Sequence, residues 1–192
     1  LDIGAGTMSL TGNSISLGGS ITAGSLDVIS TDSLTLTTEV DNLSVVLNGD
    51  GDLTIFQTGD VVISSIAMNG GNLTIEGDGD ITIGSITGTG GIVRISSTSG
   101  DLVISDFTAN VGDATLTAFG EIRGKIEADS LSLSAGGIIN LQEADGFELT
   151  AFSTTSPDSN VTLTAGGAIS VQASVALTNS AELALTATGS GS

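Results

Sequence analysis

A chain of 192 residues with 22 acidic and three basic side chains, a net charge of −19, and no His, Cys, Trp or Tyr excludes several functions before any pattern is read. Phosphate backbones and anionic lipid surfaces are repelled, which excludes nucleic acid as a partner; no apolar run has the length of a membrane helix, no disulfide can form, and Ser/His or Cys/His nucleophilic pairs cannot be assembled. The 28 Gly, the single Pro157 and the abundance of Ser, Thr, Ile, Leu and Val favour strands and turns, with enough aliphatic content to build a core.

In chain order, weak strand copies start at Ile15 and Leu34, and then a repeat becomes plain. It runs as Asp52-Leu-Thr-Ile55, Gly59-Asp60, Val61-Val-Ile63 and Ile66. The clearest copy is Asn72-Leu-Thr-Ile-Glu-Gly-Asp-Gly-Asp80-Ile-Thr-Ile-Gly-Ser-Ile86. Next come Val93-Arg-Ile95, Gly100-Asp101, Leu102-Val-Ile104 and Phe107, and then Ala114-Thr-Leu116, Gly120-Glu121 and Ile122. Leu131-Ser-Leu133 leads through Gly137 to Ile139-Asn-Leu141, Val161-Thr-Leu163 leads through Gly167 to Ile169-Ser-Val171, and a last weak copy starts at Leu183.

First-strand starts at 15, 34, 53, 73, 93, 114, 131, 161 and 183 give intervals of 19, 19, 20, 20, 21, 17, 30 and 22. No segment carries a helical period, and a βαβ unit needs more chain. The pattern predicts an all-β fold, a parallel β-helix (β-solenoid) of roughly nine circuits, filling residues 1–192 as a single repeat domain. Alternation sends Leu73, Ile75, Ile81 and Ile83 inward and Thr74 and Thr82 outward. The few inward aliphatics of one circuit cannot offset the entropy of ordering its backbone, so stability belongs to the stacked array. Gly59, Gly79, Gly100, Gly120, Gly137 and Gly167 are read as equivalent corners, with Gly supplying a positive φ. The chain begins inside a strand-like pattern, so it is expected to be a fragment of a longer repeat array.

The 30-residue interval is the exception. Residues 143–160, from Glu143 through Phe147, Phe152 and Pro157, are read as an inserted loop or short extra strand pair projecting from the solenoid, either a contact element or a tolerated surface excursion.

Leu131-Ser-Leu-Ser-Ala-Gly-Gly-Ile-Ile-Asn-Leu141 and Val161-Thr-Leu-Thr-Ala-Gly-Gly-Ala-Ile-Ser-Val171 resemble the repeats of filamentous haemagglutinin-like exoproteins, the large partners of two-partner secretion systems in Gram-negative bacteria. The resemblance covers most of the chain through its period and the strand–Ala-Gly-Gly–strand motif. It implies a right-handed β-helix of triangular section, export to the bacterial cell surface, and a structural or adhesive role. The partners it implies are a host or neighbouring-cell surface, or copies of the chain itself end to end. The amino-terminal secretion domain that defines the family is not in this sequence.

Asp60, Asp80, Asp101 and Glu121 each follow a corner Gly in successive circuits, which predicts an acidic ladder along one edge, with strands about 4.8 Å apart. Carboxylates beside turn carbonyls suit Ca²⁺, so these four are the candidate metal ligands and Ca²⁺ the one candidate cofactor. The plainer reading is that each Asp bonds its own turn backbone. Asn48-Gly-Asp50-Gly-Asp52 and Gly77-Asp78-Gly79-Asp80 fit neither the EF-hand spacing nor the calcium nonapeptide. Outward Ser16, Thr35, Thr54, Thr74, Thr115, Ser132 and Thr162 make a hydroxyl row broken by Arg94, as expected of an exposed strand rather than an ice-binding face. Phe56 is expected outside, Phe107 and Phe119 in the core or at a corner, and Arg94, Arg123 and Lys125 near the acidic edge. No catalytic residue is assigned. A polysaccharide-degrading β-helix enzyme is the least favoured reading, because every acidic cluster follows the repeat.

Overall fold

The computed structural model describes residues 1–88, 90–109, 111–156, 159–172 and 182–189, and every regular element among them is a strand. In chain order these are β1 (Thr7–Thr11), β2 (Ile21–Ser30), β3 (Leu34–Leu47), β4 (Leu53–Gln57), β5 (Val61–Met68), β6 (Leu73–Gly77), β7 (Ile81–Thr87) and β8 (Val93–Ser97). They continue as β9 (Leu102–Phe107), β10 (Val111–Ala118), β11 (Ile122–Ile126), β12 (Ala128–Ala135) and β13 (Ile139–Glu143). The last are β14 (Phe147–Thr154), β15 (Val161–Ala165), β16 (Ile169–Val171) and β17 (Leu183–Ala187). All pair in parallel with the equivalent strand one turn away, giving a β-solenoid of about eight turns with about 20 residues per turn.

Strand alternation places the core. On the first face Leu34, Leu53, Leu73, Val93, Ala114, Leu131 and Leu149 stand in register and point inward. On the second, Val61, Ile81, Leu102, Ile122, Ile139 and Val161 do the same, joined by Ile63, Ile83 and Ile104. Val45, Ile66, Ile86 and Phe107 form an inner column on the third. Leu73, Ile75, Ile81 and Ile83 are buried as the pattern predicts. Each column removes apolar surface from water only because another turn covers it, which makes stability additive along the axis.

The structure corrects the expected insertion. Residues 147–154 form β14, which lies on β12 with Leu149 beside Leu131 and Phe152 beside Leu133. Phe147 and Phe152 are buried in the core. β15 pairs with β13, not with β12, and β16 pairs with the start of β14. The starts read at 161 and 183 therefore belong to the second face, the missing first-face strand is in β14, and the expected nine circuits become about eight. The two Ala-Gly-Gly copies stand at different corners. The first follows β12 on the first face, and the second follows β15 on the second face. A bulge between Leu131 and Ser132, opposite Thr150, breaks the strict alternation by which β14 could be read as a strand. Pro157 lies outside the described residues.

Ile15 and Leu17 pack half-buried against the core without forming a strand. Phe107 is buried, whereas Phe119 sits at a corner and is 69 % exposed. Phe56 points outward, as expected.

Candidate functional site

The turn between the first and second faces carries the acidic row, and its geometry follows from the Gly-Asp dipeptide. The Oδ1 atom of Asp60 accepts the backbone N–H of Asp80 at 2.8 Å, that of Asp80 accepts Asp101 N–H at 2.8 Å, and that of Asp101 accepts Glu121 N–H at 2.8 Å. The ladder is closed from the other side by the main chain. Val61, Ile81 and Leu102 donate their amides to the carbonyls of Asp80, Asp101 and Glu121. Each Asp therefore ties its turn to the next and does not fold back on its own turn, because the neighbouring amide stands one strand spacing away.

The glycine before each acid has a steric reason. A Cβ at Gly79 would stand 2.5 Å from Asp60 Oδ1. Gly100 and Gly120 meet Asp80 Oδ1 and Asp101 Oδ1 in the same way, closer still. The carboxylate of one turn occupies the space of the side chain in the next. Among the corner glycines only Gly59 has a positive φ, 78°, so the expected left-handed conformation is corrected to close approach at Gly79, Gly100 and Gly120. Gly167 is not a member of this row and stacks over Asp145 at another corner.

A second ladder runs along the corner before the first face. Asp52 N–H bonds to Ser33 Oγ at 3.0 Å, Asn72 N–H to Asp52 Oδ1 at 2.8 Å, and Ile92 N–H to Asn72 Oδ1 at 2.8 Å. Asp78 Oδ1 accepts Gly59 N–H. The acidic loops that look superficially like calcium sites thus contribute rungs to these ladders. A third set lies just inside the first corner. Thr38 donates to Gln57 Oε1 at 2.7 Å, Gln57 Nε2 donates to Val40 and Thr58 carbonyls, and Ser97 Oγ donates to Gly79 O at 2.7 Å. Sequence reading missed these buried polar residues. Their signal is a polar side chain at an inward position at a strand's end.

The four candidate metal ligands are aligned but do not converge. Asp60 and Asp80 are exposed and Asp101 and Glu121 half-buried. Among the described residues no three acidic groups come together as a metal-holding cluster. Glu121 forms the one ion pair among the described residues, with Arg123; at an exposed site such a pair contributes little. Arg94 stands between Thr74 and Thr115 on the first face, away from the corner. Lys125 lines a different corner with Asp106 and Glu127. The hydroxyl row is Thr35, Thr54, Thr74, Thr115 and Ser132 with Arg94 among them; Ser16 lies outside a strand, and Thr162 joins the second face beside Asn140.

One carboxyl departs from the surface pattern. Glu143 points inward at the end of β13, between Ile126 and Ala165 in the adjacent turns, and is 6 % exposed. Its Oε2 accepts Asp145 N–H at 3.0 Å, while Oε1 is buried with no hydrogen-bond partner. Burial, with the neighbouring Asp145 carboxyl, pushes its pKa up from 4.5 to about 7. Asp145 shifts the other way, held low first by the Gly146 amide at 2.7 Å.

Comparisons with protein-family models, with curated proteins and with solved structures find no match to this chain.

Proposed function

We propose that the chain is a non-catalytic structural or adhesive segment of a secreted bacterial cell-surface filament or adhesin, of the filamentous haemagglutinin-like kind. The observation that carries this reading is the use of the corner carboxylates. Asp60, Asp80 and Asp101 each spend an oxygen on the amide of the next turn, which is chemistry for building a rod. Repeated ties of this kind favour a stiff, extendable spacer, and the net charge of −19 keeps such a rod from clumping side by side. Its partners are a host or neighbouring-cell surface, or copies of itself end to end. Antibodies against the chain test the location. Labelling of intact source cells is expected, and labelling only after lysis removes the surface reading.

A Ca²⁺-binding module is the second reading. It is favoured by the repeat of carboxylates at one corner, each with its other oxygen outside the ladder. Calorimetry with Ca²⁺ decides it. The variant Asp80→Asn/Asp101→Asn keeps both Oδ1 acceptors and removes two charges. Heat in the native protein that the variant loses supports the site, and no heat in either removes it.

A further inference from the structure

Glu143 stands in a column whose other members, Ile126, Ala165 and Ala187, are apolar. Ile126 lies below the carboxyl and Ala165 above it. Two bonds hold the corner closed around it. Asp145 N–H donates to the side chain, and Gly166 N–H donates to the Glu143 carbonyl at 3.1 Å. Oε1 lies in the core without a well-formed hydrogen bond, the Ala128 amide being the other donor that acts on the carboxyl. The Asp145 and Ala128 amides favour the ionised carboxyl, but burial and the neighbouring Asp145 carboxyl outweigh them, so the site suits a neutral carboxyl and penalises an ionised one.

We propose that Glu143 makes the corner from Glu143 to Gly146 an acid-closed latch, in which ionisation drives the side chain out of the column and breaks the contact with the turn above. A place to go adjoins it. Glu143 borders a surface cavity of about 330 Å³ that is also lined by Lys125, whose ammonium can receive the carboxylate. Asp106 and Glu127 line the same cavity and oppose that transfer, and Asp145 on the same corner adds repulsion. The turn above offers Ala165, Gly166 and Gly167, none of which titrates, and Glu148 on β14 is half-buried beyond the corner. The raised pKa of Glu143 sets the working range between mildly acidic and neutral pH.

Opening lets the carboxyl ionise at its ordinary pKa, so the opening equilibrium rises about tenfold per pH unit through that range and levels off above it. Amide hydrogen exchange, normalised to the intrinsic rate at each pH, reads this directly. Between pH 5 and 7.5, protection of the Asp145 and Gly166 amides is expected to fall on the order of a hundredfold. The Ile75 and Ile83 amides, in the middle of the stack, should not change. In Glu143→Gln the fall should vanish, and Glu143→Met provides the same comparison if the Gln variant does not fold. Protection that is flat in the native protein overturns the proposal. So does an equal fall in the variants, or one shared by Ile75 and Ile83.

Discussion

Asp101 Oδ1 and the backbone amide of Glu121 lie 2.8 Å apart across 20 residues of chain. A bond of this kind depends on period, not on local turn geometry. The corner between Ser97 and Leu102 holds one residue more than the one below it, and the bond from Asp101 N–H to Asp80 Oδ1 is kept at 2.8 Å. The ladder of which it is a part therefore follows the register of the stacked strands, which sets each amide one strand spacing from the carboxylate. It repeats across separations of 20, 21 and 20 residues, with the corner absorbing the extra one.

The first prediction separates the charge of Asp101 from its hydrogen bond. Asp101→Asn keeps an acceptor at the same place and removes one of a row of like charges, so stability to denaturant should be unchanged or slightly higher. Asp101→Ala leaves the Glu121 amide without that partner and should cost about 1 kcal/mol. Equal losses in the two variants would show that charge, not the bond, is what the position uses.

Gly120 should be coupled to the same carboxylate. A Cβ there collides with Asp101 Oδ1 and crowds Asp101 Cγ at 3.1 Å, and the Gly100 carbonyl stands next at 3.2 Å. Gly120→Ala alone should destabilise the chain by about 1–3 kcal/mol. With Asp101→Ala also present the collision is gone, and the double variant should lose less than the sum of the single losses by at least about 0.5 kcal/mol. Strict additivity in urea titrations would mean that the glycine is needed for another reason.

Phe152 and Phe119 test the phase of the repeat. Phe152 is inside, beside Leu133, and Phe119 is 69 % exposed at a corner. Phe152→Ala should cost about 3–5 kcal/mol, whereas Phe119→Ser should stay within about 0.5 kcal/mol. A surface loop over 143–160 would give a small effect at Phe152, so thermal melts of the two variants discriminate between the loop and the strand.

That pair also shows what could be read from the residues and what could not. The parallel stack and its inward positions were legible because Leu73, Ile75, Ile81 and Ile83 alternate cleanly around a Gly-Asp corner. Phe147, Leu149 and Phe152 were not, because the bulge spaces the last two by three residues and aromatics replace the usual Ile and Leu. The identical Ala-Gly-Gly motif after β12 and after β15 then suggested one corner where there are two. The acidic row was legible as an alignment. Its bonding was not, because period alone does not say whether a carboxylate turns to its own loop or to the next.

Glu143 fixes the direction of the pH dependence. Its folded pKa of about 7 exceeds the ordinary 4.5, so the folded chain binds more protons than the unfolded chain in between. The contribution of Glu143 to stability is full below pH 4.5 and is lost as pH rises to about 7. Asp145, whose pKa is lowered mainly by the Gly146 amide, acts in the opposite sense. Its contribution is present above the ordinary 3.8 and is lost as pH falls below it. The two together place the stability maximum in mildly acid solution. Repulsion within a chain of net charge −19 also eases on acidification, so the pH trend of the native protein alone does not isolate Glu143. The difference between native and Glu143→Gln denaturation midpoints does, because general repulsion is common to both. That difference should grow in favour of the variant from pH 5 to 7.5 and stay constant above. A difference independent of pH would mean that the buried carboxyl keeps the same proton occupancy whether the chain is folded or unfolded.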